Sequence, residues 1–456
     1  MVQDAIDKKN HSQQIVFFFI MVVFVASSIY VAIHLQPNIA PDEHSHFLFS
    51  KLYSETWGIP ENSAQTIVTG WMTKDTPFFY HWLNGRIINI ITSLFPSIQN
   101  DQLLTVLRLI NVVYATLAMV CLYLTSKELI PNPWLQLLPV FLLANTLMWV
   151  FLAGAVSYDN LANLLCFAAI LFFVRAYQGI DFQKNALFWI IMILLGCLVK
   201  ITLLPIAGLL VLFWTITGNL QKQITGMKSV RSGIELSLII ISMILIISNL
   251  LLYGGNLIKY GSFTPTCMEV MDSTTCSLDP MHARYENLAL PEKLSIAESI
   301  RQGYPNPLEY VFYSWIPNML YRIFGILGHL SYFPSHIIIV FYMLFVWYFM
   351  LAFKYLGKPT KLICGLAGIF TIYSVLLLFL NYRNELVYGF RQIAMQGRYI
   401  FPVIGIAYIL IALILEAVNN KTILWLTTGF TILLFLISGP IKFLTKSQTI
   451  FLGWFK

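Results

Sequence analysis

The chain has 456 residues, of which 58% are hydrophobic and 11% charged, and its mean hydropathy is +0.74. Soluble domains carry about 25% charged residues, so this composition excludes a soluble globular protein and points to an all-α, polytopic integral membrane protein. The net charge of +7 calls for no nucleic-acid partner, because basic residues gather at the cytoplasmic ends of membrane spans.

The N-terminal MVQDAIDKKNHSQQ is polar, and an apolar run from Ile15 to Leu35 follows it. That run is long for a signal peptide and right for a span. It reads as an uncleaved first helix with a cytoplasmic N-terminus. Further spans are expected at 103–125, 134–153, 161–178, 187–200, 201–217, 235–253, 336–355, 362–380, 399–417 and 422–439, about eleven in all. Residues 187–217 are too long for one ordinary helix and too short for two, and Lys200 with Pro205 divides them. Alternation puts the Lys- and Arg-bearing segments 126–133, 175–186, 218–234, 354–361 and 418–421 inside. The loops 36–102 and 254–335 then lie outside, with the turn 154–160 and the segment 381–398. Residues 1–439 form one transmembrane domain and 440–456 a short tail. The apolar segment 310–333 reads as interfacial or re-entrant. The segment 381–398 carries Arg383, Arg391 and Arg398, an arginine density that the positive-inside rule disfavours outside unless those side chains have a task. Cys121, Cys166, Cys197 and Cys364 lie in apolar runs, whereas Cys267 and Cys276 share one polar outer loop and are candidates for a disulfide.

The chemistry concentrates at span ends. QPNIAPDEHSHF, residues 36–47, follows the first helix directly. Asp42 and Glu43 after Pro41 suit the first turn of a helix, where the dipole favours negative charge. His46 stands four residues after Asp42 and three after Glu43, on the same helical face, so the group also suits a base or a divalent metal. Asp159 in GAVSYDNLANLL is a second acid at an outer turn. It reads as a helix cap or as a partner of the first acids. Arg108 in VLRLINVVY and Lys200 in CLVKITLLPI are cations in apolar stretches. Both are able to snorkel to the interface or to serve a site there. Arg398 in QGRYIFP, followed by Tyr399, closes the last outer loop, and a guanidinium there can grip a phosphate at two points. A sugar leaving a lipid phosphate needs one base for the acceptor hydroxyl and cations for the departing phosphate. Glycoside hydrolysis normally needs two carboxyl groups, because its leaving group must be protonated.

These motifs resemble the GT-C superfamily of polytopic glycosyltransferases, which use polyprenyl-phosphate sugars at the extracytoplasmic face. More closely they resemble a bacterial membrane family catalogued as a domain of unknown function. That resemblance rests on PDEHSHF, TPFFYH at 76–81, VSYDNLANLL at 156–165, LVKITLLP at 198–205 and QGRYIFPV at 396–403. Thr76 stands where the first proline of a Pro-Pro pair is usual, and Ser157-Tyr158-Asp159 where Asn-Pro-Asp is usual. The resemblance implies a GT-C-like fold and a bacterial inner-membrane enzyme. It would move a sugar from a polyprenyl-phosphate donor to an envelope glycan acceptor: O-antigen, another surface polysaccharide or a glycolipid. It implies Asp42 as base or metal-linked acid, Glu43 as its assistant, and Asp159 as the residue orienting acceptor or metal. Arg398 and Lys200 would hold the phosphate, with Arg108, Arg391, His46, Tyr80, His81 and Tyr399 on the substrate side. It allows a divalent metal on Asp42 and Asp159. The competing readings are a polymerase or ligase acting on lipid-linked repeats, through Arg383, Arg391 and Arg398, and a lipid-sugar flippase. P-loop, G-x-S-x-G and H-E-x-x-H patterns are absent.

Overall fold

The computed structural model describes residues 2–69, 72–218, 221–222, 225, 232–290, 293–303, 305–327, 330–331, 335–389, 395–450 and 453–455. Nearly all of it is helix, with one two-residue hairpin, Ile326–Leu327 against Leu330–Ser331.

Ten helices position the site: α1 (Val2–His34), α2 (Glu43–Ser54), α3 (Phe79–Leu94), α4 (Asn100–Leu129), α5 (Tyr158–Tyr177), α6 (Phe182–Val199), α7 (Leu203–Ile216), α8 (Pro280–Leu288), α9 (Lys361–Tyr388) and α10 (Phe401–Ala417). Among the described residues nine helices are long and apolar enough to cross a membrane. The expected count of about eleven is made up by a bent pair and a short helix. Leu135–Ala144 and Leu147–Ala153 meet at 66°. The bend falls at Asn145–Thr146, whose side chains donate to the carbonyls of Phe141 (2.9 Å) and Leu142 (2.8 Å), so the interrupted backbone keeps its partners in an apolar setting. The short helix is α7. It separates from α6 because Lys200 is extended (φ −152°, ψ 128°), whereas Pro205 sits in the first turn of α7, where proline is tolerated.

One boundary differs from the sequence reading. Residues 381–388, expected in an outer loop, are the last two turns of α9. The helix holds its polar end because Asn381, Tyr382 and Glu385 are buried by neighbouring segments. It ends at Gly389, whose positive φ of 68° suits glycine. The apolar segment 310–333 is helical over Tyr310–Gly325, with π turns at both ends, and buries Tyr310, Trp315, Met319, Ile323 and Phe324.

α5 and the span Gly397–Ala417, which contains α10, are the most interior: 78% of each apolar window is buried inside the protein. Both begin at the same end of the bundle, one at Tyr158-Asp159 and the other at Gly397-Arg398. The cores of the two long loops also meet. Ile67 and Met72 are buried with Cys267 and Cys276, which form a disulfide with Cα atoms 5.7 Å apart. After the helix Pro440–Ile450 the chain returns to the end of α1, where the Gln36 amide donates to the Trp454 carbonyl (2.8 Å).

Candidate active site

Two adjacent acids part company at the exit of α1. Asn38 and Asp42 both have left-handed backbone (φ 65° and 59°), a conformation that Asn and Asp tolerate better than most residues. The turn presents the Asp42 and Glu43 side chains to different partners. Glu43, only 1% exposed, accepts from Arg108 Nε at 2.8 Å and Nη2 at 2.5 Å, and from the Val156 amide at 2.9 Å. Arg108 also donates to the carbonyls of Leu35 (2.5 Å), Gln36 (3.3 Å) and Ala32 (3.4 Å). It therefore satisfies the orphan carbonyls at the end of α1 and a buried carboxylate together. Glu43 and Arg108 join α1, α2, α4 and the turn before α5, and they occupy one another.

Asp42 is the residue before α2, yet its side chain makes no capping bond. It accepts from Arg398 Nη2 instead. Arg398 Nε lies 3.6 Å from Asp159 Oδ2, and Asp159 Oδ1 accepts from Lys200 Nζ. The result is an alternating row, Asp42, Arg398, Asp159 and Lys200, carried by the start of α2, the start of the α10 span, the start of α5 and the break between α6 and α7. Asp159, Lys200 and Arg398 side chains are each 4% exposed, and that of Asp42 is 38% exposed. Only the acid at the mouth meets solvent. Ser157 orients the inner acid: its hydroxyl caps the Asp159 amide and lies 3.3 Å from Asp159 Oδ2. The Lys200 ammonium lies 4.7 Å from the Tyr158 ring centre and 4.6 Å from that of Tyr399, cation–π contacts that replace some of its lost hydration. Burial pushes the Lys200 ammonium down from its ordinary value, against the pull of Asp159.

Behind this row stand the histidines. His46 Nδ1 and His81 Nε2 are 3.1 Å apart, and the His46 ring meets the edge of Tyr158 at 4.4 Å. Burial above all, with His81, Arg398 and Lys200, pushes His46 well below the usual range, and burial takes His81 to about 3. Both rings are therefore neutral, and one nitrogen of the facing pair donates to the other. Tyr80 turns away and donates to Asn111 Oδ1 at 3.1 Å. Asn111 also accepts from Asn160 Nδ2 at 3.0 Å.

Of the residues marked in the sequence, Asp42, Asp159, Lys200, Arg398 and Tyr399 come together. Glu43 and Arg108 close on each other, and His46, Tyr80 and His81 pack behind the row. Arg391 lies outside the described residues. Asn111, Asn160 and Ser157 lie inside the stretches quoted for Arg108 and Asp159 but are assigned no role there, although asparagines inside apolar helices are themselves a signal. As for a divalent metal, among the described residues no three His, Cys, Asp or Glu side chains gather to hold one. Asp42 and Asp159 each face a cation from the protein already. The donor set therefore does not fit a resident metal.

No protein-family model matches the chain, and neither does any curated protein sequence. The more specific family resemblance thus gains no support at the level of sequence. Among solved structures the fold matches ArnT from Cupriavidus metallidurans in the apo state, at 12% identity and a TM-score of 0.50, over 98% of this chain and 66% of that one. It also matches the archaeal oligosaccharyltransferase AglB from Archaeoglobus fulgidus, solved with an inhibitory peptide and a dolichol-phosphate, at 14% identity and a TM-score of 0.50, over 95% of this chain and 55% of that one. The chain shares the fold of these two proteins, and it spans just under two thirds of the first neighbour's length and about half of the second's.

Proposed function

We propose that the chain is a glycosyltransferase that moves a sugar from a polyprenyl-phosphate donor to an envelope glycan or glycolipid at the extracytoplasmic face of a bacterial inner membrane. The observation that carries this reading is the row Asp42–Arg398–Asp159–Lys200 with Asp42 alone at its mouth. Transfer breaks the bond between the sugar's anomeric carbon and the phosphate oxygen and forms one to the acceptor oxygen. The acceptor hydroxyl gives its proton to the Asp42 carboxylate. Arg398 and Lys200 receive the phosphate as its charge grows, and Asp159 holds both cations in place. A second carboxylic acid is not required, because phosphate departs unprotonated. The dolichol-phosphate held by the archaeal neighbour supports a lipid phosphate as the donor's leaving group.

The test is mass spectrometry of envelope glycans from wild type, a deletion strain and an Asp42→Asn strain with matched protein levels. Loss of one sugar substituent in both mutants, at unchanged backbone length, is expected. Collapse of chain length would favour a polymerase, and normal glycans in Asp42→Asn would remove Asp42 from the chemistry. Orientation has its own check. The Glu61 side chain is 75% exposed, and a Glu61→Cys variant should react with an impermeant maleimide in intact spheroplasts.

A further inference from the structure

An apolar cleft of about 510 Å³ lies near the start of α1, at the opposite end of the bundle from the charged row. Val16 and Ile20 of α1 line one wall, Leu424, Thr428 and Ile432 of the helix Lys421–Ser438 line the other, and Leu135 and Leu138 line the floor. The floor residues are buried. Trp134 and Trp425 also line the cleft, and they are 46% and 74% exposed, so it opens on the face of the bundle that meets lipid. About 22 Å of helix, at 1.5 Å per residue, separates Ile20 from Leu35, whose carbonyl accepts from Arg108 beside the charged row. The cleft therefore belongs to the other leaflet and takes no part in the candidate active site.

Polar ties hold each wall in place. Gln13 fastens α1 to the floor, its side chain donating to the Pro133 carbonyl at 2.7 Å and to Gln136 Oε1 at 2.9 Å. The helix Lys421–Ser438 is fastened on another face to the helix Ser335–Tyr355. There Trp347 Nε1 donates to Thr427 Oγ1 at 3.1 Å, and the Tyr348 and Thr431 hydroxyls are 2.6 Å apart. Collapse of the walls onto one another would strain these bonds, so the lining gains its dispersion contacts from a molecule outside the chain. An apolar cavity of roughly 150 Å³ already takes a benzene ring, and this cleft is more than three times as large. At this depth the matching molecule is a lipid chain, which is as apolar as leucine. The same wall supplies a charge. Lys421, Leu424, Thr428 and Ile432 stand three and four residues apart on one stripe of their helix. The exposed Lys421 thus marks the end of the lined face that lies toward the membrane surface.

We propose that this cleft is a binding site for one anionic membrane phospholipid, with an acyl chain between α1 and the helix Lys421–Ser438 and the lipid phosphate on Lys421. Apolar lining selects the chain, and the lysine at the mouth selects the charge of the headgroup. The site is separate from the transfer chemistry and stands whether or not that chemistry is as proposed above.

The test uses the full chain in phosphatidylcholine nanodiscs that contain a small share of phosphatidylglycerol with a diazirine on its acyl chain. After irradiation, peptide mass spectrometry should find adducts concentrated in residues 16–20, 134–141 and 424–432. Ile20→Trp fills the cleft and should lower those adducts at least about tenfold, the equivalent of two buried methylenes, with adducts elsewhere unchanged. Thermal unfolding checks that the variant is folded, and Leu424→Trp, at a half-buried position, is the second filling variant. Lys421→Gln should lower the preference for phosphatidylglycerol over a phosphatidylcholine bearing the same diazirine about fivefold, the scale for one lysine at an anionic surface. Adducts spread evenly over all lipid-facing helices and unmoved by either filling variant would mean ordinary surrounding lipid and overturn the site. Equal labelling by the two phospholipids would overturn the assignment to an anionic lipid. Displacement of the label by undecaprenyl phosphate in wild type but not in Arg398→Ala would give the cleft to the tail of the lipid donor instead. Cross-links between two copies of the chain at these peptides would show that a second copy covers it, which also overturns the proposal.

Discussion

Asp42 and Glu43 are neighbours in the chain and opposites in the fold. Glu43 is sealed, bidentate to Arg108, and tied to three helices and a turn. Asp42 is open at one side and holds a single guanidinium that also faces another acid. The first pair supports the architecture, because no group from solvent reaches it. The second is able to trade partners, because Arg398 already stands between two carboxylates and a phosphate would be a third anion within its span. Burial and the number of partners, not residue type, separate the two roles.

Four experiments would break or sharpen that contrast. Asp42→Asn should lower transfer by about 10²–10⁴-fold, the usual range for a lost general base, with the thermal midpoint nearly unchanged. A matching loss of stability would place Asp42 in the architecture. Glu43→Gln should do the reverse and cost about 3–5 kcal/mol of stability, the scale for breaking a buried pair and stranding its partner, as read by unfolding in detergent. Its activity, in whatever fraction remains folded, should be near normal. Arg398→Lys keeps the charge and removes the forked geometry, so KM for the lipid donor should rise about tenfold. An unchanged KM would mean that Arg398 serves only Asp42 and Asp159. The smallest effect concerns the histidine pair. His81 titrates at about 3 when folded against 6.5 in the open chain, and His46 moves the same way. Below pH 6.5 the unfolded chain takes up protons that the folded one refuses, so stability should fall as pH drops from 6.5 toward 3 and be flat above. For His81 the loss should be on the order of 2 kcal/mol by pH 5. His81→Phe should flatten the slope in a pH series of unfolding midpoints, and an unaltered slope would assign the sensitivity to other groups.

The membrane-crossing helices were legible because twenty apolar residues in a row have few other uses. Asp42, Asp159, Lys200 and Arg398 were legible for a related reason, since charges at span ends are costly enough to draw notice. Their pairing was not. Which acid Arg108 meets is set by the turn at the end of α1, where Asn38 and Asp42 are left-handed, and that geometry is not written in the motif. Glu385 escaped for a different reason. LNYRNELVY reads as a polar loop, and only the continuation of α9 over those residues makes its carboxylate a buried one.

The joined loops impose an order on biogenesis. Ile67 and Met72 are buried by Cys267 and Cys276, which the ribosome delivers about 200 residues later. At 5–20 residues per second that interval is roughly 10–40 s. For that time the first loop's apolar residues lack their cover while several later helices are being inserted. A nascent chain stalled before Cys267 should therefore present a sticky, protease-sensitive first loop, and a chaperone or oxidoreductase working on that side of the membrane would have half a minute in which to find it.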